Sequence, residues 1–212
     1  MYVRDYMNQN VVTVPPDMLI HDAQQLMKQN KIRRLPVVEN GKLVGIVTQT
    51  SLREVAPSQA TSLSVWELNY ILAKMKVSDA MTRNVITVTP DTTLEDAALL
   101  GYRHGVGALP VVEGGRLVGI VTETDTFRVL LEVLGTRNTG IRLQIHQHET
   151  AKEQMISEIA AAIAKHGYPI QSIFKVQAPA RPHPDVIVRL TSREADAAVE
   201  ELTALGYKVE VT

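Results

Sequence analysis

The sequence predicts an α+β protein, and three observations carry that prediction. The N-terminal part is a gapless internal repeat. Each copy alternates short β-branched runs with segments of helical periodicity. Beyond the glycine-bounded stretch GTRNTG at 135–140, the pattern changes to a different strand and helix order.

The repeat aligns residues 3–53 on residues 77–127 at a constant offset of 74, with about half the positions identical. NVVTVPPD at 10–17 matches NVITVTPD at 84–91, and LPVVENGKLVGIVTQT at 35–50 matches LPVVEGGRLVGIVTET at 109–124. Within the first copy, residues 11–14 form a β-rich run stopped by Pro15 and Pro16. Residues 17–30 place Leu19, Ala23, Leu26 and Met27 at helical spacing. Residues 35–39 and 42–47 read as strands joined across Asn40-Gly41, a strong hairpin signal. Thr48 then opens another helix. The second copy repeats the order with Gly114-Gly115 in the turn, so each unit is β-α-β-β-α. One such unit leaves an apolar sheet face uncovered, and two related by a pseudo-twofold cover each other.

Between the copies, residues 62–77 (SLSVWELNYILAKMKV) read as a capped amphipathic helix. Ser64 is the cap, Glu67 completes a capping box, and Leu68, Leu72 and Met75 form the apolar stripe. Trp66 and Tyr70 lie one turn apart on a neighbouring face and mark a dimer contact if exposed. After the break, residues 142–146 alternate like a strand and 151–166 carry Met155, Ile159, Ala162 and Ile163 at helical spacing. Residues 170–177 and 186–191 read as strands around the Pro-rich APARPHPD, 194–205 as a helix ended by Gly206, and 207–211 as a last strand. That order, β-α-β-β-α-β, is ferredoxin-like. The expected organisation is 1–60 and 77–135 for the two copies, 61–76 for the helix between them, a hinge at 136–140 and a last domain at 141–212.

Composition narrows the function. The 212 residues are 45% hydrophobic and 21% charged, with net charge −1, so no global basic field draws the chain to nucleic acid or anionic lipid. Having no cysteine, the chain cannot form disulfides, thiolate zinc sites or a cysteine nucleophile. Residues 1–10 lack a signal-peptide core, and no apolar run reaches the roughly 18 residues of a membrane span, so a cytoplasmic location without membrane insertion is expected. Walker, Gly-x-Ser-x-Gly and Gly-x-Gly-x-x-Gly motifs are absent from the sequence, which points away from an enzyme. His146-x-His148 puts two rings on one strand face, but no third ligand completes a metal site.

KIRRLPVVENGKLVGIVT and GALPVVEGGRLVGIVTETD resemble tandem cystathionine-β-synthase (CBS) motifs, whose pair is called a Bateman module. The resemblance covers residues 1–135. It implies clefts between the paired repeats that bind adenosyl ligands (AMP, ADP, ATP or S-adenosylmethionine) as regulatory ligands, with no required cofactor, and a homodimer of modules. In GIVTETD, Thr122 and Asp125 match the family's ribose-binding Thr-x-x-Asp; read from spacing alone, the same pair is a capping box. The first copy has Thr48 and Ser51 there, so that cleft lacks the carboxylate and is expected to bind more weakly. The resemblance assigns phosphate to a basic residue at Arg34, with Arg33 and Lys31 beside it. Arg53 and His104 are weaker candidates, and an exposed basic loop is the alternative. The base is expected against Asn10, Val12 and Thr13, with Thr87 serving the poorer cleft; ordinary strand threonines are the competing reading.

The C-terminal order resembles an ACT domain, a small module that binds amino acids at dimer interfaces. Its first strand-helix loop here, HQHETAKE, lacks the glycine that such sites use, so a purely dimerising role is equally open. The whole architecture is similar to acetoin-utilisation regulatory proteins. The expected function is therefore a non-catalytic regulatory protein sensing adenine nucleotides through a dimer. A structural dimerising adaptor with vestigial clefts is the alternative, and a separate enzyme or transporter is a candidate regulated partner.

Overall fold

The computed structural model describes residues 1–55, 74–136, 140–146, 154–177, 179 and 183–212. Most of the expected inter-repeat helix, with Ser64, Trp66, Glu67, Leu68, Tyr70 and Leu72, lies outside the described residues, and its last residues, 74–76, are not helical; 137–139 of the expected hinge, His148 and most of the HQHETAKE loop also lie outside. The chain forms two compact units, Met1–Thr126 and Phe127–Thr212.

In the first unit, α1 (Val3–Tyr6), α2 (Ile20–Asn30), β1 (Arg34–Glu39), β2 (Lys42–Thr48) and α3 (Gln49–Glu54) form the first copy. The second copy supplies α4 (Val77–Ala80), α5 (Leu94–His104), β3 (Ala108–Glu113), β4 (Arg116–Thr122) and α6 (Glu123–Val133), and the division between units falls within α6. Each hairpin turns where sequence demands: Asn40 and Gly41 have φ of 50° and 78°, the consecutive positive values of a tight hairpin turn. Residues 11–14, expected as a strand, make only a single parallel bridge, Val14 to Val37. Val14 N–H donates to Pro36 and Val38 N–H to Val14, but Pro15 and Pro16 offer no donor to extend the ladder.

The sheet order is β1-β2-β4-β3, and β2 meets β4 at a single pair, Lys42 with Arg116. What joins the halves is a reciprocal exchange of the segments that begin each copy. Asn8 and Ile120 exchange both backbone hydrogen bonds (2.9 and 3.0 Å), so the start of the chain lies along the second copy's β4. Thr82 and Ile46 do the same (2.9 and 3.0 Å) on the first copy's β2. Val3 N–H donates to Thr92, and its repeat equivalent Val77 to Met18. Val77 is fully buried in the first copy's core with Leu35, Val37, Val47 and Leu52. Each such side chain contributes about 1.5–3 kcal/mol by leaving water. Gly119 and Gly45 admit the exchanged segments: a Cβ at Gly119 would stand 2.5 Å from Met7 Sδ, and one at Gly45 2.5 Å from Met81 Sδ.

In the second unit, β5 (Arg142–His146), α7 (Met155–Lys165), β6 (Ile170–Val176), β7 (Asp185–Leu190), α8 (Asp196–Ala204) and β8 (Lys208–Val211) follow the β-α-β-β-α-β order. The antiparallel sheet runs β6-β7-β5-β8, so each helix connects two strands separated by one other. Leu143, Ile145, Val186, Val188 and Leu190 face Met155, Ile159, Ile163 and Leu202 to form the core. Lys165 and His166 both bond Glu201, which ties the end of α7 to α8 and holds that carboxyl below its usual range.

Tyr207, 5% exposed, donates its hydroxyl to Glu158 at 2.7 Å. Burial, then the Glu158 carboxylate, pushes the phenol up to about 12 from 10.0. Because the folded state keeps this proton longer than the unfolded chain, its stabilisation is complete below pH about 10 and is lost as pH rises towards about 12. Tyr207→Phe is expected to cost about 1–2 kcal/mol at neutral pH and to flatten that alkaline loss, measured as urea midpoints from pH 8 to 11. Gly119→Val is expected to destabilise by about 1–3 kcal/mol, since Met7 and the Asn8 carbonyl must move, with urea midpoints again the measurement.

Candidate functional site

The exchange determines where a cavity can form. Because residues 8–12 of the first copy lie along β4 of the second, the hollow between them draws its walls from both copies. It encloses about 260 Å³. One wall is the leading segment, Asn8, Asn10, Val11 and Val12. Lys31, Ile32, Arg33, Arg34 and Pro36 form a second, and Gly107, Ala108, Ile120, Thr122, Glu123, Thr124 and Asp125 complete it.

Thr122 and Asp125 stand at the junction of β4 and α6. Asp125 Oδ2 accepts from Thr122 N (3.0 Å) and from Thr122 Oγ1 (2.7 Å), while Asp125 N donates to Thr122 Oγ1 at 3.3 Å. The pair is thus a capping box that turns strand into helix. Both residues also line the cavity. An ionised carboxylate has about four acceptor sites, so capping and ligand recognition are chemically compatible. The first copy keeps the box without the charge: Thr48 N donates to Ser51 Oγ and Ser51 N to Thr48 Oγ1, both at 3.0 Å.

Arg34 opens β1, with its backbone paired to Thr48. Its guanidinium reaches the second copy: a Cβ on Gly107 would lie 2.5 Å from Arg34 Nη2 and 2.6 Å from Glu123 Oε2. Gly107 is the repeat equivalent of Arg33, so the cation-bearing loop of one copy fits only against the glycine loop of the other. Both loops carry the same backbone bond, Gln49 N to Arg33 O at 2.9 Å and Glu123 N to Gly107 O at 3.3 Å. Lys31 ends α2 with φ of 54°, where the second copy has Gly105. A lysine held in that left-handed conformation costs roughly 1–2 kcal/mol, and it lines the cavity.

The structure therefore brings Asn10, Val12, Arg33, Arg34, Thr122 and Asp125 together around one hollow. Thr13 is exposed and is not part of that lining, although its neighbours Val11 and Val12 are. Thr87 lines a different hollow, with Thr89, Asp96 and Arg103, whose walls do not include Thr48 or Ser51. Arg53 lines another, with Lys28, Lys31 and Arg33, and His104 is exposed. Asn8, Gly107 and Glu123 are lining residues that sequence reasoning missed. Glu123 had only the signal of an acid in a helix's first turn, and Gly107 only its contrast with Arg33. His146 of the His-x-His pair is engaged with Asp185 and Glu210. Among the described residues no helix is long and apolar enough to cross a membrane.

The CBS-domain model matches residues 3–58 and 77–132, and the chain belongs to the CBS-domain family. It is 33% identical to the CBS domain-containing protein YhcV of Bacillus subtilis over 123 residues, 58% of this chain and 81% of that one. With inosine-5'-monophosphate dehydrogenase of Korarchaeum cryptofilum it shares 36% identity over 137 residues, but that is 64% of this chain and only 26% of the dehydrogenase. Among solved structures, an acetoin-utilization candidate protein (AcuB) from Vibrio cholerae is 29% identical with a TM-score of 0.55, covering 65% of this chain and 95% of that one. The CBS domain pair of protein MJ0100, in complex with 5'-methylthioadenosine and S-adenosyl-L-methionine, is 27% identical at a TM-score of 0.52, covering 65% and 98%. CBSX2 in complex with AMP is 33% identical at a TM-score of 0.52, covering 62% and 97%.

The capping role of Asp125 has a direct consequence. Asp125→Ala and Ser51→Ala are each expected to lower stability by about 0.5–2 kcal/mol, read from thermal melts without ligand. Gly107→Val is expected to shrink the cavity by displacing Arg34 and Glu123, measured as loss of protection of Arg34 from guanidinium-directed labelling.

Proposed function

We propose that the chain is a non-catalytic regulatory protein that binds an adenosyl ligand, AMP, ADP, ATP or S-adenosylmethionine, in the cavity shared by its two CBS repeats. The observation that carries this reading is the convergence of Thr122 and Asp125 from one copy with Arg33, Arg34 and Asn10 from the other. Asp125 accepts from the ribose hydroxyls, as carboxylates do in dinucleotide-binding folds. Val12 and neighbouring backbone meet the base. Arg34 meets phosphate through its planar fork. Similarity to CBS structures that hold AMP or S-adenosyl-L-methionine supports the ligand class.

The second site, at Thr48 and Ser51, is the weaker or empty one, because Ser51 supplies no charge and Thr87, expected to serve it, lines a separate hollow. The second unit, in this reading, is an ACT-like ferredoxin fold that holds a homodimer and passes occupancy to a partner enzyme or transporter. Any shift it passes on is bounded by the ligand's differential affinity for the two states.

Isothermal calorimetry with AMP, ADP, ATP and S-adenosylmethionine tests the reading. Binding near one equivalent per chain is expected for at least one of the four. Asp125→Ala is expected to weaken it ten- to a hundredfold, whereas Ser51→Ala, which removes the matching cap, leaves it within about twofold. No heat and an unchanged melting temperature with all four would sink the proposal in favour of a dimerising adaptor with vestigial clefts.

A further inference from the structure

The second unit packs both helices against one face of its sheet. Strand alternation sends Leu143, Ile145, Val186 and Val188 to that core and leaves Arg142, Gln144, Asp185, Ile187 and Arg189 on the other face. The register sets Arg142 directly opposite Arg189. Like charges so placed repel, and a fold has no intrinsic reason to keep them. Arg142 donates to Gln144 Oε1 at 2.9 Å and to Thr212 Oγ1 at 3.4 Å, both uncharged acceptors. The Arg189 side chain makes no hydrogen bond or ion pair among the described residues.

The adjacent cross-strand row is Phe174, Ile187 and Gln144, an apolar floor with one amide. Beyond it lies Asp185, 6% exposed, which accepts from Gln144 Nε2 at 2.8 Å and meets His146 Nδ1 at 2.9 Å. Leu134 and Thr136 close the rim of a hollow of about 300 Å³, anchored where Ser172 Oγ donates to Leu134 O at 3.2 Å. The hollow thus has a cationic side, an apolar floor and an acid opposite the cations.

We infer that this hollow binds a small organic monoanion, a carboxylate with a short apolar body. The carboxylate sits between the Arg142 and Arg189 guanidiniums, whose planar forks suit it, and relieves their repulsion. The apolar body lies on Phe174, Ile187 and Val176. Asp185 on the far side disfavours a second negative charge on the ligand, and a volume of this size suits a molecule of few heavy atoms. The site is independent of the nucleotide cavity and does not rest on the function proposed for it.

Calorimetry on the full chain with sodium 4-methylpentanoate, hexanoate and phenylacetate tests this, with 4-methylpentanamide and inorganic phosphate as controls. At least one carboxylate is expected to bind with a submillimolar Kd, at least tenfold tighter than either control. Arg189→Gln is expected to weaken it tenfold or more, Arg189→Lys by less, and neither to lower the ligand-free melting temperature, since the Arg189 side chain makes no hydrogen bond or ion pair among the described residues. Absence of binding by all three carboxylates overturns the inference, as does equal binding of the amide or of phosphate, or wild-type affinity in Arg189→Gln. A variant that alters the sedimentation coefficient while no carboxylate binds would give this face to a second copy of the chain instead. Should Arg189→Gln fail to fold, Phe174→Leu, which keeps the floor apolar but removes its ring and widens the hollow, must shift the preference between phenylacetate and 4-methylpentanoate; an unchanged ratio also overturns the inference.

Discussion

The two copies of the repeat depend on each other because each begins in its twin. The central sheet contact, Lys42 with Arg116, is one residue pair and brings two cations together. It could not hold the halves by itself. The exchanged segments do: Val77 completes the first core, and Asn8 and Thr82 each exchange a reciprocal pair of backbone hydrogen bonds with β4 and β2. Removing those donors and acceptors from water without partners would cost more than most single side chains return. Strand pairing and burial therefore favour the same arrangement, and the cavity between the copies is its by-product.

Symmetry of backbone coexists with asymmetry of chemistry. The capping boxes at Thr48/Ser51 and Thr122/Asp125 are geometrically alike, yet only one contains a carboxyl group. The loops at Arg33 and Gly107 carry equivalent backbone bonds, yet one bears bulk and charge while the other must remain bare. Near a pseudo-twofold axis two arginines cannot share one space. A charged loop on one side thus requires a glycine on the other, and the acid and the cations come to lie on opposite copies around a single hollow.

Much of this was legible in the residues themselves. The hairpins were marked by Asn40-Gly41 and Gly114-Gly115, and the helices of the second unit by the spacing of Met155, Ile159 and Ile163. Thr122 and Asp125 stood out through their resemblance to the CBS family's Thr-x-x-Asp, since spacing alone fits a capping box as well. The exchange was not legible, since periodicity tells that a segment is extended but not which copy it joins. That Thr13 lies outside the lining was not legible, because a run of four β-branched or apolar residues does not mark which of them face a cavity. Glu123 was hidden because an acid in a first turn is ordinary helix electrostatics. Arg142 and Arg189 were hidden because opposition across a sheet exists only once register is known.

The exchanged ends also govern the order in which the chain can fold. Asn8 waits for Ile120, roughly 110 residues downstream, and loop closure over such a distance is slow. The first copy emerging from a ribosome has its hairpin and α2 but not the Val77 that fills its core, and its own leading strand has no partner. That strand stays unpaired until the last turn of the second copy is made. The N-terminal unit is therefore structurally one object, since the core and strand pairing of each repeat are complete only with the opening segment of the other.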